Sequence, residues 1–314
     1  MKVLSITGWC RNGSTIIGNI LNEIPGFFHV GEIHFLWKNS VGKGSNTVCG
    51  CRKPLTECDI WSEVLAAGRP DGVSAEEHYA TVRRRQLAYV RTRHTWRVLK
   101  RGLHDAGIRE HAELMALTYH KIAELRGARV IVDTNKIPGE SALLSHVDGV
   151  EPYFVHLVRD PRAVSGSWSG WKDYVYTMSS SRSTLYWRGF NTASAALLRR
   201  FPDRSMLLRY EDFIADPSAT IDRLLDLCGV EAANPLTGRT VELHTNHTVT
   251  GNPDRFETGP TLIRPTDDSW KAKLSKRAKV AAVTLSWPQF RRYGYRYAGT
   301  LGPAAEPVSA AGKR

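Results

Sequence analysis

The sequence predicts an α/β fold with a central, mainly parallel β-sheet and helices on both faces. Short apolar segments typical of buried strands alternate with segments of helical spacing, and several strands end in charged residues. Alternating strands and helices form βαβ units, in which neighbouring strands run parallel. Because ligands of such sheets bind beyond the carboxyl ends of the strands, these charges mark the candidate site. They are Arg11, Glu32, Asp133, Lys136, Arg159 and Asp160.

The chain begins with a strand, a glycine-rich loop and a helix. Residues 2–7 predict a short buried strand, and residues 16–24 have the spacing of a helix. Residues 27–37 predict a second strand that places Glu32 near its end. Residues 38–60 are rich in Gly, Ser, Asn and Cys and predict a long loop.

The segment 61–128 has a helical pattern and predicts a helical insertion or lid. Within it, residues 81–101 contain seven arginines and one lysine but no acidic residue. Such a run is commonly a solvated helix face. The alternative is a basic lid that attracts an anionic ligand.

The rest of the chain continues the alternation. Strands are predicted at residues 129–134, 153–160 and 204–213. Helices are predicted at residues 183–200, 219–230 and 266–292, and a Gly/Pro/Asn-rich loop at residues 245–265. We therefore expect a single domain over residues 1–298, followed by a flexible C-terminal tail over residues 299–314.

The composition is that of a globular protein. Of 314 residues, 42% are hydrophobic and 24% charged, which excludes a disordered or collagen-like chain. No apolar stretch approaches the roughly 18–20 residues of a membrane span, so no membrane partner is expected. Lys2 is followed by only a short apolar run, unlike the core of a signal peptide. We therefore expect a cytoplasmic protein.

The net charge of +12 speaks to partners rather than to fold. It suits either a nucleic acid or an anionic small molecule. The charges at the strand ends favour the small molecule, because a nucleic-acid-binding segment at residues 81–101 would leave them unexplained.

Three of the five cysteines, Cys49, Cys51 and Cys58, form a C-x-C-x6-C cluster. They fall one ligand short of a structural zinc site, which takes four. His34 is the nearest candidate for a fourth ligand. Reduced thiols in a loop are the simpler interpretation, so no metal site is predicted.

Residues 8–15 form a loop with the G-x4-G spacing of a phosphate-binding loop. It follows a strand and precedes a helix, so its backbone N–H groups and the helix N-terminus face a phosphate group. Ser14 stands where a nucleotide hydrolase has lysine, and Arg11 is the one cation of the loop. A single 5′-phosphate group needs neither that lysine nor Mg²⁺, unlike a triphosphate.

A second anion site is predicted around residues 156–168. Arg159 lies at a strand end, and Ser167 lies about two turns into the following helix. A guanidinium and a hydroxyl so placed can hold one phosphate dianion. The alternative is a structural ion pair that Asp160 forms with Arg159 or Arg162.

The segments RNGST (11–15) and LVRDPRAVSGSW (157–168) together resemble the two cofactor loops of sulfotransferases that use 3′-phosphoadenosine 5′-phosphosulfate (PAPS). The arginine in the first loop is similar to the carbohydrate and tyrosylprotein branch, with Asn12 in place of the more usual serine. GNPDRF (251–256) resembles a loop that folds over the 3′-phosphate and adenine in carbohydrate sulfotransferases, and LLRYEDFIADP (207–217) also resembles a family segment. The likeness does not cover residues 60–128.

The resemblance implies a P-loop-kinase-like fold, PAPS as donor, adenosine 3′,5′-bisphosphate (PAP) as product, and no required metal. Glu32 would then be the base that takes the proton of an acceptor hydroxyl, and Lys136, with Arg11, would stabilise the leaving phosphate. His34 is the alternative base. The implied cofactor-binding residues are Arg11, Asn12, Gly13, Ser14, Thr15, Arg159, Ser167, Asn252 and Arg255.

Aromatic residues crowd residues 168–187 and suit the faces of a sugar or of a flat small molecule. The predicted acceptor-binding residues are His34, Trp37, Trp168, Trp171, Tyr186 and Trp187. The expected acceptor is a hydroxyl of a sugar or a small-molecule natural product. The helices of residues 61–128 are the expected lid or the interface of a homodimer.

A variant P-loop kinase or hydrolase is the main alternative function. Asp133 at its strand end would then hold Mg²⁺. The missing loop lysine argues against this interpretation.

Overall fold

The computed structural model describes residues 1–41, 46–170, 177–264, 268–297 and 302. The strands are β1 (Lys2–Thr7), β2 (Phe27–Gly31), β3 (Val130–Lys136), β4 (Glu151–Val158), β5 (Ser205–Arg209), β6 (Thr240–Leu243) and β7 (Gly259–Leu262). The first five form one sheet in the order β2-β3-β1-β4-β5, and every neighbouring pair is parallel. The predicted parallel α/β architecture is therefore confirmed.

Helices connect and flank these strands. They are α1 (Ser14–Asn22), α2 (Leu36–Asn39), α3 (Trp61–Ala67), α4 (Ala75–Arg85), α5 (Thr95–Arg101), α6 (Ala106–Arg126), α7 (Pro138–Leu144), α8 (Pro161–Ser169), α9 (Ser180–Arg200), α10 (Tyr210–Ala215), α11 (Pro217–Cys228), α12 (Ser269–Lys273) and α13 (Lys276–Arg292). Short 3₁₀ helices cover Ile33–Phe35, Thr92–His94, Pro202–Arg204 and Pro253–Phe256, and a π-helical turn covers Gln86–Val90.

Successive side chains of the central strands enter two different apolar cores. Val3 and Ile131 pack in one core with residues of α3 and α6, whereas Leu4 and Val132 pack in the other with residues of α1 and α11. This alternation follows from the two-residue period of a strand. The sheet is thus covered on both faces, and its carboxyl edge is left for the site.

The second strand is shorter than the sequence predicts. It ends at Gly31, whose φ is +74°, and a Cβ atom there would lie 2.5 Å from the carbonyl oxygen of Val249. Only glycine tolerates both the left-handed backbone and that approach. The chain therefore turns at Gly31, and residues 33–39 form short helices instead of the predicted strand.

Two other predictions need correction. The strand predicted at residues 204–213 ends at Arg209, because the following residues begin α10. The segment 245–265 is not a continuous loop, since it contains a 3₁₀ helix and β7, which pairs antiparallel with β6. Pairing of this kind joins residues about twenty positions apart, and local patterns do not reveal it.

The predicted helical character of residues 61–128 is confirmed by α3 to α6, while a role for them as a lid stays a prediction. Apart from residue 302, the predicted tail over residues 299–314 lies outside the described residues. Within the described part of the chain, no helix combines the length and the apolar character needed to cross a bilayer.

Candidate active site

The carboxyl ends of β1, β3 and β4 open onto a cavity of about 260 Å³, which we call the phosphate cavity. It is lined by residues 10–16, Glu32, Asn46, Lys136, Arg159, Ser167, Trp168, Tyr210, residues 250–252 and Asp254. The lining comes from segments up to about 240 residues apart in sequence. Its position is the one where parallel α/β sheets bind ligands.

The loop between β1 and α1 is fixed from both sides. Gly13 has a φ of +90°, and a Cβ atom there would lie 2.3 Å from the ring of Tyr210. The side-chain amide of Asn12 is buried, donates to the carbonyl oxygen of Leu157 at 3.0 Å and accepts from the N–H of Ser14 at 3.3 Å. Asn12 thus ties the loop to β4, and the first turn of α1, with Ser14 and Thr15, faces the cavity.

Backbone strain is concentrated at this cavity. Among the described residues, four that are not glycine have a positive φ: Arg11, Arg52, Lys136 and Thr250. Three of the four line the phosphate cavity. Such conformations cost on the order of 1–3 kcal/mol each and cluster at ligand-binding and active sites.

Arg159 and Ser167 lie together at this cavity. The Nη1 of Arg159 donates to the carbonyl oxygen of Arg11 at 3.1 Å, and its guanidinium lies 4.5 Å from the ring centre of Tyr210. Its buried Nε has no acceptor among the described residues. An N–H so placed is a donor for an anionic ligand. The two predicted anion sites are therefore parts of one cavity.

Asp160 forms its ion pair with Arg162 and not with Arg159, the two partners that the sequence left open. Asp160 caps α8 by accepting from the N–H of Arg162 at 2.8 Å, and it forms an ion pair with the Arg162 guanidinium at 2.6 Å. Arg162 also donates to the carbonyl oxygens of Arg296 and Tyr297. Asp160 is thus occupied by Arg162, and Arg159 is left to the cavity.

The segment after residue 245 covers one side of the cavity. Val249 pairs with Gly31 at the end of β2, and its carbonyl oxygen accepts from the N–H of Glu32 at 2.7 Å. Further along, the side-chain oxygen of Asn252 accepts from Nη1 of Arg11 at 3.2 Å. This segment therefore brings Asn252 and Glu32 to the phosphate loop.

Arg255, the other predicted cofactor ligand of this segment, does not line the phosphate cavity. Its side chain is buried and donates to the carbonyl oxygen of Val48 at 3.0 Å. Its own carbonyl accepts from the amide of Asn246 at 2.7 Å. The structure thus places Arg255 where it holds the segment to residues 46–48.

Glu32 and Lys136 meet at the floor of the cavity. The Lys136 ammonium forms an ion pair with Oε1 of Glu32 and donates to the carbonyl oxygen of Thr134 at 3.2 Å. The two residues follow β2 and end β3, which are neighbours in the sheet. A carboxylate and an ammonium therefore lie beside the phosphate loop.

His34 lies in a separate buried cluster. Its Nδ1 contacts Oε2 of Glu140, and its Nε2 lies 3.5 Å from Nη1 of Arg83. His111 is 3.5 Å from the other oxygen of Glu140. Burial alone raises the pKa of Glu140, but the two histidines outweigh it and hold that pKa below its ordinary value. A histidine oriented by a carboxylate is also a common arrangement for a base.

Two other titratable residues near the sheet edge are internal. Asp133 is fully buried and accepts from the Tyr119 hydroxyl at 2.7 Å and from Asn135. Burial raises the pKa of Asp133 to about 7. It does not line the phosphate cavity, which disfavours it as a Mg²⁺ ligand for a kinase. His29 bonds Thr134, and burial lowers its pKa to about 3.

The predicted acceptor residues separate into different places. Trp168 lines the phosphate cavity. Trp187 is a core residue whose indole N–H donates to the carbonyl oxygen of Arg159 at 2.9 Å. Trp37 is buried beside a separate small cavity, and Trp171 lies outside the described residues.

His34 and Tyr186 line a second cavity of about 750 Å³, which we call the apolar cavity. Its other lining residues were not predicted from the sequence. They are Phe35, Leu87, Arg91, Thr92, Arg93, Trp96, Ile137, Leu185, Arg188, Gly189, Phe190 and Thr192. The sequence signal for this cavity was the presence of large apolar residues within polar, helical segments. The structure shows three of them, Leu87, Trp96 and Leu185, to be about half-exposed. Tyr186 stacks on Trp9 of the phosphate loop at 5.0 Å, so the two cavities adjoin.

The site combines a strand, a glycine-containing loop and a helix N-terminus with arginines at the carboxyl edge of the sheet. These are features of α/β proteins with a site for an anionic group. The comparison with known families gives the narrower class. Residues 4–234 match the model of the sulfotransferase family. The chain belongs to that family.

Solved structures of sulfotransferases resemble the chain at low sequence identity. The sulfotransferase domain of the Synechococcus PCC 7002 olefin synthase is 19% identical with a TM-score of 0.51, over 92% of this chain and 94% of that one. A sulfotransferase from Alicyclobacillus acidocaldarius is 12% identical with a TM-score of 0.38, over 91% and 94% of the two chains. The family match and the fold shared with the olefin synthase domain confirm the predicted sulfotransferase fold. No curated protein sequence matches the chain.

Proposed function

We propose that this protein transfers the sulfuryl group of PAPS to a hydroxyl of a small-molecule acceptor, with no metal ion in the reaction. One observation carries the proposal: residues 11–15, the Arg159–Ser167 pair and Asn252 meet in one cavity beside Glu32 and Lys136. When bound, PAPS supplies an activated sulfuryl group whose leaving group is PAP.

The phosphate cavity fits a nucleotide with two separate phosphate groups. The first turn of α1, with Ser14 and Thr15, offers N–H and hydroxyl donors for the 5′-phosphate side. Arg159 offers an Nε without an acceptor among the described residues, and Ser167 adds a hydroxyl for the 3′-phosphate. Because residue 14 is not a lysine, the loop lacks the group that nucleotide hydrolases use on a triphosphate.

Glu32 is the base in this proposal. It lines the phosphate cavity, where the donor is proposed to bind, whereas His34 lines the apolar cavity and not the phosphate cavity. Glu32 takes the proton of the acceptor hydroxyl as its oxygen attacks. Lys136 and Arg11 stabilise the charge that develops on the phosphate. His34, oriented by Glu140, is the competing base.

The apolar cavity is the proposed acceptor site. It adjoins the phosphate cavity, because Ile137 follows Lys136 directly and Tyr186 stacks on Trp9. Its wall is largely aromatic and aliphatic, with Arg91, Arg93 and Arg188 among the lining residues. This chemistry favours an acceptor with an apolar body and an anionic group over an uncharged sugar.

We also propose a cytoplasmic location, since none of the five cysteines forms a disulfide and reduced cysteines persist in a reducing compartment. A homodimer formed through the helices of residues 61–128 stays a prediction.

The proposal is tested by separating the two phosphate contacts. Arg159→Ala is expected to weaken PAP binding about 10- to 100-fold, the range for loss of a charge-assisted hydrogen bond, and to leave 5′-AMP binding within about threefold. The measurement is calorimetric titration of both nucleotides, with Arg204→Ala on the exposed surface as control. Equal losses for PAP and AMP would contradict the 3′-phosphate assignment.

A further inference from the structure

A cluster of four metal-ligating side chains lies outside both cavities. Cys49, Cys51 and Cys58 are joined by His247, nearly 190 residues further along the chain, and the four ligand atoms all lie within 4.8 Å of one another. Cys49 and Cys58 are buried, and the other two are partly buried. The fourth residue is thus not His34, which the sequence suggested as the nearest ligand and which the structure places against Glu140.

Three of the six separations within the cluster are close to those of a tetrahedral site, and the remaining three are no longer than 4.8 Å. Nδ1 of His247 lies 3.3 Å from Sγ of Cys58 and 3.8 Å from Sγ of Cys49, and Sγ of Cys51 lies 3.8 Å from Sγ of Cys58. A tetrahedral Zn²⁺ with bonds of about 2.3 Å to sulfur and about 2.1 Å to nitrogen requires S···S separations of about 3.8 Å and S···N separations of about 3.6 Å. The atoms are already placed around a centre of that size.

The backbone around the cluster is organised independently of any ion. The N–H of Gly50 donates to the carbonyl oxygen of Thr248 at 3.0 Å. The indole N–H of Trp61 donates to the carbonyl oxygen of His247 at 2.7 Å. Both bonds join residues 49–61 to the segment that carries the fourth ligand. Such bonds fix the ligands before the metal arrives.

We propose that Cys49, Cys51, Cys58 and His247 bind one structural Zn²⁺ ion. Three thiolates and one imidazole in tetrahedral arrangement form one of the usual structural zinc sites, and soft sulfur ligands select zinc over magnesium or calcium. The ion would join residues 49–58 to the segment 247–256. That segment contains Asn252, which lines the phosphate cavity. The zinc therefore anchors one wall of that cavity and takes no part in the transfer.

The first test measures metal content. Protein purified with reductant and without chelator is expected to contain about one Zn²⁺ per chain by plasma mass spectrometry. After the zinc is removed, Co²⁺ is expected to give the visible bands and the thiolate charge-transfer band of a tetrahedral Cys-rich site. A chain that stays below a tenth of one Zn²⁺ after incubation with zinc and reductant, or that gives no such Co²⁺ spectrum, overturns the proposal.

The second test assigns the ligands. Cys51→Ser and His247→Ala are each expected to lose zinc affinity by at least about tenfold, whereas Cys228→Ser and His244→Ala keep one zinc per chain. Hydrogen exchange of the wild type is expected to rise at residues 46–60 and 246–256 on zinc removal. A zinc affinity within about threefold of wild type in both ligand variants, measured by competition with a chelator, or unchanged exchange at both segments, overturns the assignment. None of these measurements depends on the proposed activity.

Discussion

The ion pair between Glu32 and Lys136 places a proton acceptor directly beside a cation at the phosphate loop. Both side chains are largely buried, which excludes bulk water from the pair and strengthens its electrostatic effect. Lys136 holds this position with a backbone φ of +64°. A strained lysine that ends a central strand serves the site rather than the stability of the sheet.

Substitution of the carboxylate distinguishes the two candidate bases. Glu32→Gln is expected to lower kcat about 10²- to 10⁴-fold, the usual effect of losing a general base, and to change PAP affinity less than about threefold. The measurement uses labelled PAPS and a hydroxylated acceptor that the wild type sulfates. His34→Gln is the matched variant and is expected to cost less than Glu32→Gln. Activity of Glu32→Gln within about tenfold of wild type would exclude Glu32 as the base, and a larger loss in His34→Gln than in Glu32→Gln would favour His34.

At the scale of the elements, the basic segment 81–101 is largely solvated, as the sequence indicated: five of its seven arginines are exposed, namely Arg84, Arg91, Arg93, Arg97 and Arg101. Arg85 forms an ion pair with Glu110, and Arg83 approaches His34. Arg91 and Arg93, in contrast, line the apolar cavity together with Trp96. The π-helical turn and the 3₁₀ helix in this segment break the helical repeat, which explains why its arginines point to different surroundings.

Trp96 tests whether the apolar cavity holds the acceptor. Trp96→Ala is expected to raise the KM for the acceptor about tenfold, because a lost aromatic contact costs on the order of 1.5 kcal/mol, and to leave the KM for PAPS unchanged. Trp287→Ala on α13 is the control, since Trp287 is exposed to the same degree, 47% against 45%, and does not line this cavity. Equal effects of the two substitutions would contradict the acceptor site.

A partly buried glutamate links the start of α8 to the C-terminal segment. Glu211 of α10 accepts from the N–H of Asp160 at 2.9 Å and from the Tyr295 hydroxyl at 2.9 Å. Burial raises the pKa of Glu211 to about 7. The folded state therefore keeps a proton that the unfolded state loses above its ordinary pKa near 4.5, and this group's contribution to stability falls as pH rises from about 4.5 to 7.

Glu211→Gln removes that dependence. Relative to wild type, the variant is expected to gain on the order of 3 kcal/mol in the free energy of unfolding between pH 4.5 and pH 8. Chemical denaturation at both pH values measures the difference, with Glu231→Gln on the exposed surface as control. A difference between variant and wild type that does not change with pH would contradict the raised pKa.

The sequence predicts those parts of the molecule that depend on local pattern. The strand–loop–helix of residues 2–22 follows from periodicity and from the glycine spacing of the loop. The alternation of strands and helices predicts a parallel sheet but not the order of its strands, which the structure gives as β2-β3-β1-β4-β5. The length of β2 does not, because Gly31 turns against Val249, more than 200 residues away. The positions of Arg255 and His247 could not be predicted either, because tertiary contacts bring both of them to residues 46–58.

At the scale of the whole molecule, the site exists only in the complete fold. The phosphate cavity needs residues from β1 to the segment after β6, and the family match ends at residue 234, before that last segment. Asn252 and its neighbours are therefore the part of the cavity that this chain adds beyond the matched region. Nucleotide affinity is therefore expected to depend on the folded state of the segment after β6 as well as on the phosphate loop.

The most direct test of the account is calorimetric titration of the purified protein with PAP in the absence of Mg²⁺, beside ATP in its presence. We expect micromolar binding of PAP that EDTA does not weaken, and no measurable binding of ATP. Tight, Mg²⁺-dependent binding of ATP with none of PAP would contradict the PAPS assignment and identify the loop as that of a nucleotide kinase or hydrolase.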